Sequence, residues 1–203
     1  VTALIMRELA QEPDSLDSSE ISHQEFKEQT RKQFELSNLI GVGGQGEVWQ
    51  GTQNTLARRV AIKKLRRDAT KVDGFFREAF TSAQLDHPNI VPVYDLGIEK
   101  QGAAEHPMFA MKLIEGVMWS RTIFEDRHAD DFSLDRFLAK HLPILLQVTN
   151  AVAYAHSRGI IHRDLKPAQV MTGEFGEVFL TDWGLALLVD SERLRVPHAD
   201  TVT

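Results

Sequence analysis

The fold is decided by a glycine-rich stretch and the strand-like residues that follow it, Gly41-Val42-Gly43-Gly44-Gln45-Gly46 and Glu47-Val48-Trp49-Gln50-Gly51. Glycines allow backbone N–H groups to approach phosphate oxygens without obstruction by side chains. The pattern G-x-G-x-x-G is weak by itself, because a flexible hairpin turn has the same composition. A dinucleotide-binding Rossmann fold requires a helix to open at the last glycine. Since a strand follows Gly46 instead, the stretch predicts a loop between two strands and disfavours the Rossmann fold.

Short apolar runs on either side of this loop predict a β-rich first half. Strands are expected over Phe34–Gly41, Glu47–Gln53 and Arg59–Leu65, separated by Gly-rich and Asn-Thr turn residues. Asp73 is expected to cap a helix that ends near His87-Pro88. The apolar residues of this helix recur at helical spacing: Phe75, Phe76, Ala79, Phe80 and Ala83. Two further strands are expected over Ile90–Leu96 and Met108–Ile114.

After Gly116 the apolar residues take the spacing of helices. They are Leu134, Phe137, Leu138, His141, Leu142, Leu145, Val148, Val152 and Ala155. Pro143 is expected to divide this region into a shorter helix and a long helix that stops at Gly159. Short strands then flank a loop at His162–Gln169, and a turn at Gly173–Gly176 leads into a strand over Val178–Thr181. We therefore expect a mixed α+β fold with a β-rich lobe over residues 34–116 and an α-rich lobe over residues 117–203, preceded by a flexible acidic extension over residues 1–33.

The composition excludes several classes of protein. A chain of 203 residues with 42% hydrophobic and 26% charged residues is typical of a globular protein that buries a core. The absence of Cys excludes disulfides, Cys-ligated zinc and thiol catalysis. The net charge of −6 argues against a nucleic-acid partner. No stretch approaches the roughly 20 apolar residues of a membrane helix, so we expect no membrane segment.

Lys63 stands out among the basic residues of the first half because it follows Val60-Ala61-Ile62 inside an apolar strand, 17 residues after Gly46. A Lys at this position can neutralise phosphate charge, although a solvated surface lysine is the simpler alternative. Glu78 lies 15 residues later on the face of the predicted helix that carries Phe75. Because a buried ammonium requires an acidic partner, we expect Glu78 to pair with Lys63.

Two loops of the second half carry carboxylates. The first reads His162-Arg163-Asp164-Leu165-Lys166-Pro167-Ala168-Gln169, and 18 residues after Asp164 comes Asp182-Trp183-Gly184. Two carboxylates on separate loops suit two tasks, the orientation of a hydroxyl nucleophile and the coordination of Mg²⁺. Each short motif alone is weak evidence for a function. All four motifs in order, each in the strand, helix or loop that it requires, are not expected by chance.

In these four motifs the chain resembles the protein kinases, and specifically the eukaryotic-like Ser/Thr kinases of bacteria, from about Phe34 to Thr203. The resemblance implies a two-lobed protein-kinase-like fold with a complete N-lobe and a partial C-lobe. It also implies an enzyme, expected in the cytoplasm, that transfers the γ-phosphoryl group of ATP to Ser/Thr hydroxyls with Mg²⁺. Lys166, two residues after Asp164, is typical of the Ser/Thr-directed form of this loop.

The resemblance assigns a role to each motif residue. Asp164 would accept or orient the hydroxyl proton, and Lys166 would contact the γ-phosphate. Lys63, held by Glu78, would contact the α- and β-phosphates. Mg²⁺ would be bound by Asp182 and Gln169. The gatekeeper would be Met111, the backbone of Lys112 and Ile114 would bond to adenine, and apolar walls would enclose the ring. The residues expected to bind ATP are Gly41, Val42, Gly43, Gly44, Gln45, Gly46, Val48, Ala61, Lys63, Met111, Lys112, Ile114 and Met171.

The chain departs from the family pattern in three places. Gln169 stands where kinases have the Asn that ligates a second Mg²⁺, and Trp183 replaces the usual Phe, with Ser82 expected to make room for the larger ring. The chain also ends at Thr203, before an A-P-E motif, so we expect a truncated catalytic domain. A pseudokinase or nucleotide-sensing module therefore remains the alternative. A small-molecule kinase is less favoured because of Lys166-Pro167. Arg163 indicates control by phosphorylation, with acceptors at Ser191, Thr201 and Thr203.

Overall fold

The computed structural model describes residues 33–43, 46–66, 72–101 and 104–189 of the chain. Several expectations fall outside these ranges. They concern the acidic extension before residue 33, the loop residues Gly44 and Gln45, and the segment after residue 189 that carries the expected phosphate acceptors.

An antiparallel sheet of five strands occupies the first part of the described chain. Its strands are β1 (Phe34–Val42), β2 (Gly46–Gln53), β3 (Arg58–Leu65), β4 (Val93–Gln101) and β5 (Ala104–Lys112), in the spatial order β1-β2-β3-β5-β4. Neighbouring strands pair antiparallel throughout. A short 3₁₀ turn (Asn54–Leu56) links β2 to β3, and helix α1 (Val72–Gln84) lies between β3 and β4 in the chain. The expected β-rich first half is thus present.

The alternation of side chains along β3 decides which of them face α1. Successive side chains of a strand point to opposite faces of the sheet. Val60 and Ile62 are buried in one cluster with Ala110, whereas Leu65 is buried in another with residues of α1. Lys63 shares the face of Leu65, so the alternation of side chains along β3 turns the Lys63 ammonium towards the helix.

Helix α1 packs on the sheet through aromatic and small residues. Phe75 and Ala79 are buried against Leu65 and Phe109, and the rings of Phe75 and Phe109 have centroids 5.0 Å apart. Full burial of one such ring contributes about 2–3 kcal/mol through the hydrophobic effect. The helix is therefore held in one orientation relative to β3 and β5.

The second part of the chain combines helices with short strands. Its elements are β6 (Gly116–Met118), α2 (Trp119–Arg127), α3 (Leu134–Ser157), β7 (Ile160–Ile161), a 3₁₀ turn (Pro167–Gln169), β8 (Val170–Gly173), β9 (Val178–Leu180) and β10 (Leu187–Leu188). Strands β6, β8 and β9 form one small sheet, and β7 pairs with β10. In the described part of the chain no helix is both long and apolar enough to cross a membrane.

The expectation that Pro143 divides the helical region is wrong, because α3 is a single helix of 24 residues with Pro143 inside it. Proline removes one backbone hydrogen bond and costs about 3 kcal/mol in a helix interior. Burial of Val148, Ala151 and Ala155 in a cluster on the same helix offsets this cost. The apolar pattern also covers more than one face, since Leu142, unlike these residues, is exposed.

Two boundaries differ from the sequence prediction for local reasons. Helix α1 ends at Gln84 rather than near His87, and the Leu85 N–H closes it with a bond to the Ser82 carbonyl. Strand β4 begins at Val93 rather than at Ile90, because Pro92 has no N–H to donate to a ladder. Ile90 instead forms an isolated parallel bridge with Leu180 and so joins this segment to β9.

Candidate active site

The glycine-rich loop lies at the turn between β1 and β2, as the sequence predicts. Within it, the Gly43 N–H donates to the Gly46 carbonyl at 2.9 Å. A Cβ on Gly46 would lie 2.4 Å from the carbonyl oxygen of Lys64 on β3, so only glycine permits this approach of the two strands. Gly41 pairs with Val48 across the ladder, and Val42 is exposed. Gly46 therefore brings the start of β2 close to the strand that carries Lys63.

Lys63 and Glu78 form the expected pair. The Lys63 ammonium donates to the Glu78 carboxylate at 2.5 Å, and the two side chains are only 13% and 7% exposed. Lys63 also lies 6.0 Å from the centroid of the Phe109 ring. Burial raises the pKa of the Glu78 carboxyl above its ordinary value, although the Lys63 ammonium opposes this effect. A fixed cation is thereby held on the face of β3 that lies beside the glycine loop.

Asp164 lies in the loop between β7 and the 3₁₀ turn, where two donors converge on one of its oxygens. Lys166 Nζ donates to Asp164 Oδ2 at 2.7 Å, and Gln169 Nε2 donates to the same atom at 3.0 Å. These hydrogen bonds lower the pKa of Asp164 below its ordinary value. Among the described residues Oδ1 accepts no hydrogen bond, so an ionised oxygen is left for a hydroxyl group.

The two carboxylates predicted to share the chemistry are brought together by Gln169. Its Nε2 also donates to Asp182 Oδ2 at 2.9 Å. Since both contacts share one nitrogen, the two Oδ2 atoms lie within about 6 Å of each other, where two negative charges repel. The amide donors reduce this repulsion, and so would a cation.

The backbone beside both carboxylates has an unusual conformation. Asp182 has φ of 62° and Arg163 has φ of 65°, in the left-handed region that L-residues rarely adopt. Such residues persist where the surrounding structure determines them. Around Arg163 this structure includes a hydrogen bond from its own Nε to the Leu185 carbonyl.

His162 and Trp183 form the packed base of the site. His162 Nε2 donates to the Thr181 carbonyl, and Nδ1 accepts from the Asp164 N–H. Burial lowers the pKa of His162 and keeps its ring neutral. Trp183 is fully buried with its ring centroid 4.6 Å from that of His162. Ser82, expected to make room for this ring, is also buried.

Residues expected to surround adenine lie on both parts of the chain. Ala61 is buried and pairs with Met111 across β3 and β5, and half-buried Met171 lies on β8. The N–H of Lys112 bonds to the Pro92 carbonyl, so it is engaged within the protein. Ile114 follows β5 in a segment without regular structure, where its backbone has no ladder partner.

Sequence reasoning missed Thr181, which connects the two loops. Its N–H and its hydroxyl both donate to the Gln169 carbonyl, at 2.8 and 3.0 Å, while its own carbonyl accepts from His162. A Thr at the end of the apolar run before Asp182 was the available signal. Thr181 fixes the relative position of the loops that carry Asp164 and Asp182.

The donor set suits a divalent cation that is shared with a phosphate ligand. Mg²⁺ is usually bound by one or two carboxylates together with substrate phosphates and water. Asp182 supplies such a carboxylate, and within the described part of the chain its Oδ1 accepts no hydrogen bond. Gln169 would have to turn its carbonyl oxygen towards a cation, because its N–H edge faces both carboxylates.

Comparisons with known proteins identify relatives of this chain. Residues 34–201 match the family model of the protein kinase domain. The chain is 35% identical over 178 residues to the serine/threonine-protein kinase PknD of Chlamydia trachomatis, which covers 83% of this chain and 18% of that protein. It is 36% identical over 176 residues to PknD of Chlamydia muridarum and 32% identical over 166 residues to PknD of Protochlamydia amoebophila. These alignments cover 81% and 77% of this chain but only 18% and 16% of those relatives.

Proposed function

Because the chain belongs to the protein kinase domain family, we propose that it transfers the γ-phosphoryl group of Mg²⁺-ATP to Ser or Thr hydroxyls of a protein substrate. The observation that carries this proposal is the convergence of Asp164 and Asp182 on one amide group, beside a buried Lys–Glu pair on β3 and α1. The relatives named above are serine/threonine kinases, which supports the class of acceptor.

Asp164 is the residue that would receive the substrate hydroxyl. Its Oδ2 is occupied by Lys166 and Gln169, so its other oxygen remains for the incoming hydroxyl. A carboxylate with a lowered pKa is ionised at neutral pH and is a weak base, so it orients the hydroxyl more than it removes the proton early. Lys166 carries a positive charge at the point where the phosphoryl group would be transferred.

Lys63 and the glycine loop would bind the phosphates of ATP. The ammonium of Lys63 has a fixed position because Glu78 holds it, and a charge that is fixed in advance stabilises phosphoryl transfer without reorganisation. The loop glycines would contribute backbone N–H groups. Val48, Ala61, Met111 and Met171 would contact the adenine ring.

Asp182 would hold the cation. Bound Mg²⁺ neutralises charge on the β- and γ-phosphates during transfer. Among the described residues no group of three or more acidic or His side chains is arranged to hold a metal ion, so the nucleotide phosphates would complete the coordination.

The proposal is tested by incubating the intact protein with radiolabelled Mg²⁺-ATP and a generic Ser/Thr acceptor protein, followed by phosphoamino-acid analysis. We expect phosphoserine or phosphothreonine, and at least 10²-fold less label with Asp164→Asn, because this change removes the ionised oxygen. Equal labelling by the two proteins would contradict the assignment. Asp135→Asn, at an exposed position in the first turn of α3, is the matched control and should leave labelling unchanged.

A second function, a pseudokinase that binds nucleotide without turnover, is favoured by one observation. Gln169 presents N–H groups rather than an oxygen to the place where kinases bind a second Mg²⁺. Binding of a non-hydrolysable ATP analogue by an intact protein that transfers no phosphate would support this alternative.

A further inference from the structure

Gln169 lies at the end of the 3₁₀ turn with its amide nitrogen between the two carboxylates. A primary amide has two N–H donors and one carbonyl acceptor, whereas an ionised carboxylate only accepts. Its N–H edge is therefore the only edge that can face two carboxylates at once. This orientation follows from the chemistry of the three groups.

The backbone of Gln169 is fixed from both sides. Its N–H donates to the Lys166 carbonyl at 2.9 Å, and its carbonyl accepts both donors of Thr181. The backbone of Gln169 therefore has a defined position, from which the side chain reaches both Asp164 and Asp182. Ordering a Gln side chain costs rotamer entropy, and its two hydrogen bonds to carboxylates offset this cost.

We propose that Gln169 is a positioning residue that joins Asp164 to Asp182 through its N–H groups and does not coordinate metal, so that the site binds one divalent cation, through Asp182. This inference rests on the proposed kinase function. It differs from the sequence expectation, in which Gln169 supplies an oxygen to Mg²⁺.

The length of the side chain explains why Gln and Asn would differ at this position. Asn is shorter by one methylene, about 1.5 Å, and from the same backbone position it cannot reach both carboxylates. Gln169→Asn should break the bridge and leave an amide oxygen free for a second cation. Gln169→Ala removes the bridge and supplies no oxygen. It therefore separates the loss of the bridge from the gain of a ligand for a second cation.

The bridge is tested on the metal-free chain by NMR of the side-chain amide groups. The Gln169 resonances are assigned by their loss in Gln169→Ala. We expect the Gln169 amide protons to move upfield in Asp182→Ala and in Asp164→Ala, because each variant removes one hydrogen bond to a charged acceptor. The amide of Gln147, which bonds to Asn89, is the internal control and should not move. Unchanged Gln169 resonances in both variants would overturn the bridge.

The metal count is tested by EPR with Mn²⁺ and AMP-PNP, a non-hydrolysable ATP analogue. Two ions in a shared site lie about 4 Å apart and give a dipolar-coupled spectrum. We expect the spectrum of isolated Mn²⁺ for wild type and Gln169→Ala, and a coupled pair for Gln169→Asn at raised Mn²⁺. A coupled pair in wild type, or identical spectra for wild type and Gln169→Asn, would overturn the inference.

Failure of the inference and failure of the proposed function are distinguishable. If calorimetry shows that AMP-PNP does not bind to the wild-type chain, the kinase function fails, and the single-cation part of the inference fails with it. The NMR measurement uses no nucleotide and still decides whether Gln169 joins the carboxylates. If AMP-PNP binds and wild type shows a coupled pair, the function stands and the inference is wrong.

Discussion

Removal of one member of the Lys63–Glu78 pair should destabilise the protein more than removal of both. The side chains are 13% and 7% exposed, so each charge that loses its partner remains largely shielded from water. Loss of one partner from a buried pair costs about 3–5 kcal/mol. Because Lys63 retains some exposure and the Phe109 ring, we expect about 3 kcal/mol for Glu78→Leu and a similar loss for Lys63→Met.

The double variant Lys63→Met/Glu78→Leu removes both charges and fills the space with apolar groups. Replacement of a buried ion pair by hydrophobic residues is often neutral or stabilising. Both positions face the apolar cluster of Phe75 and Leu65. We therefore expect a double variant within about 1 kcal/mol of wild type and a coupling free energy of at least 2 kcal/mol.

The free energies of unfolding are measured by urea titration, with unchanged m-values as the check that the unfolding transition is the same in all variants. A matched cycle on the exposed pair Arg121 and Glu125 of α2 is the control, and its coupling should be close to experimental error. Additive losses in the Lys63–Glu78 cycle would refute the reasoning. All three variants that lack Lys63 or Glu78 should bind AMP-PNP more weakly. The double variant should therefore keep its stability while it loses nucleotide affinity.

Three further predictions concern other parts of the site and fold. Asp182→Asn should reduce phosphoryl transfer by the intact protein at least 10²-fold with a nearly unchanged unfolding midpoint. A variant that turns over at the wild-type rate would contradict the role of Asp182 in holding the cation. Since burial lowers the pKa of His162, the unfolded chain gains this proton at a higher pH than the folded chain does, so the free energy of unfolding should fall as the pH drops below about 6.5. His162→Gln should flatten this dependence on pH, and equal slopes for the two proteins would refute it. Gly51→Ala should destabilise the chain by about 1–3 kcal/mol, because its Cβ would lie 2.6 Å from the Glu35 carbonyl oxygen, whereas Gly97→Ala, with no atom nearer than 3.9 Å, should cost less in the same titration.

The sequence by itself determined the family and the identity of the motif residues. The glycine loop, Lys63 and the two carboxylates are recognisable because each requires a specific residue type in a specific local structure, and local structure follows from short-range patterns. Spacing along α1 placed Glu78 on the face of Phe75, and the need of a buried ammonium for an acidic partner then predicted its pair with Lys63. Apart from the Lys63–Glu78 pair, which joins β3 to α1, these features depend on chemistry within single elements.

Tertiary structure decided the continuity of α3 and the orientation of Gln169. A proline disfavours a helix locally, and only the buried contacts of Val148 and its neighbours show that the helix continues through Pro143. The Gln169 amide is oriented by Asp182, which lies 13 residues away on another loop. Sequence pattern gives no distance between two loops, whereas the folded chain places both carboxylates within reach of one nitrogen, and hydrogen-bond complementarity then selects its N–H edge.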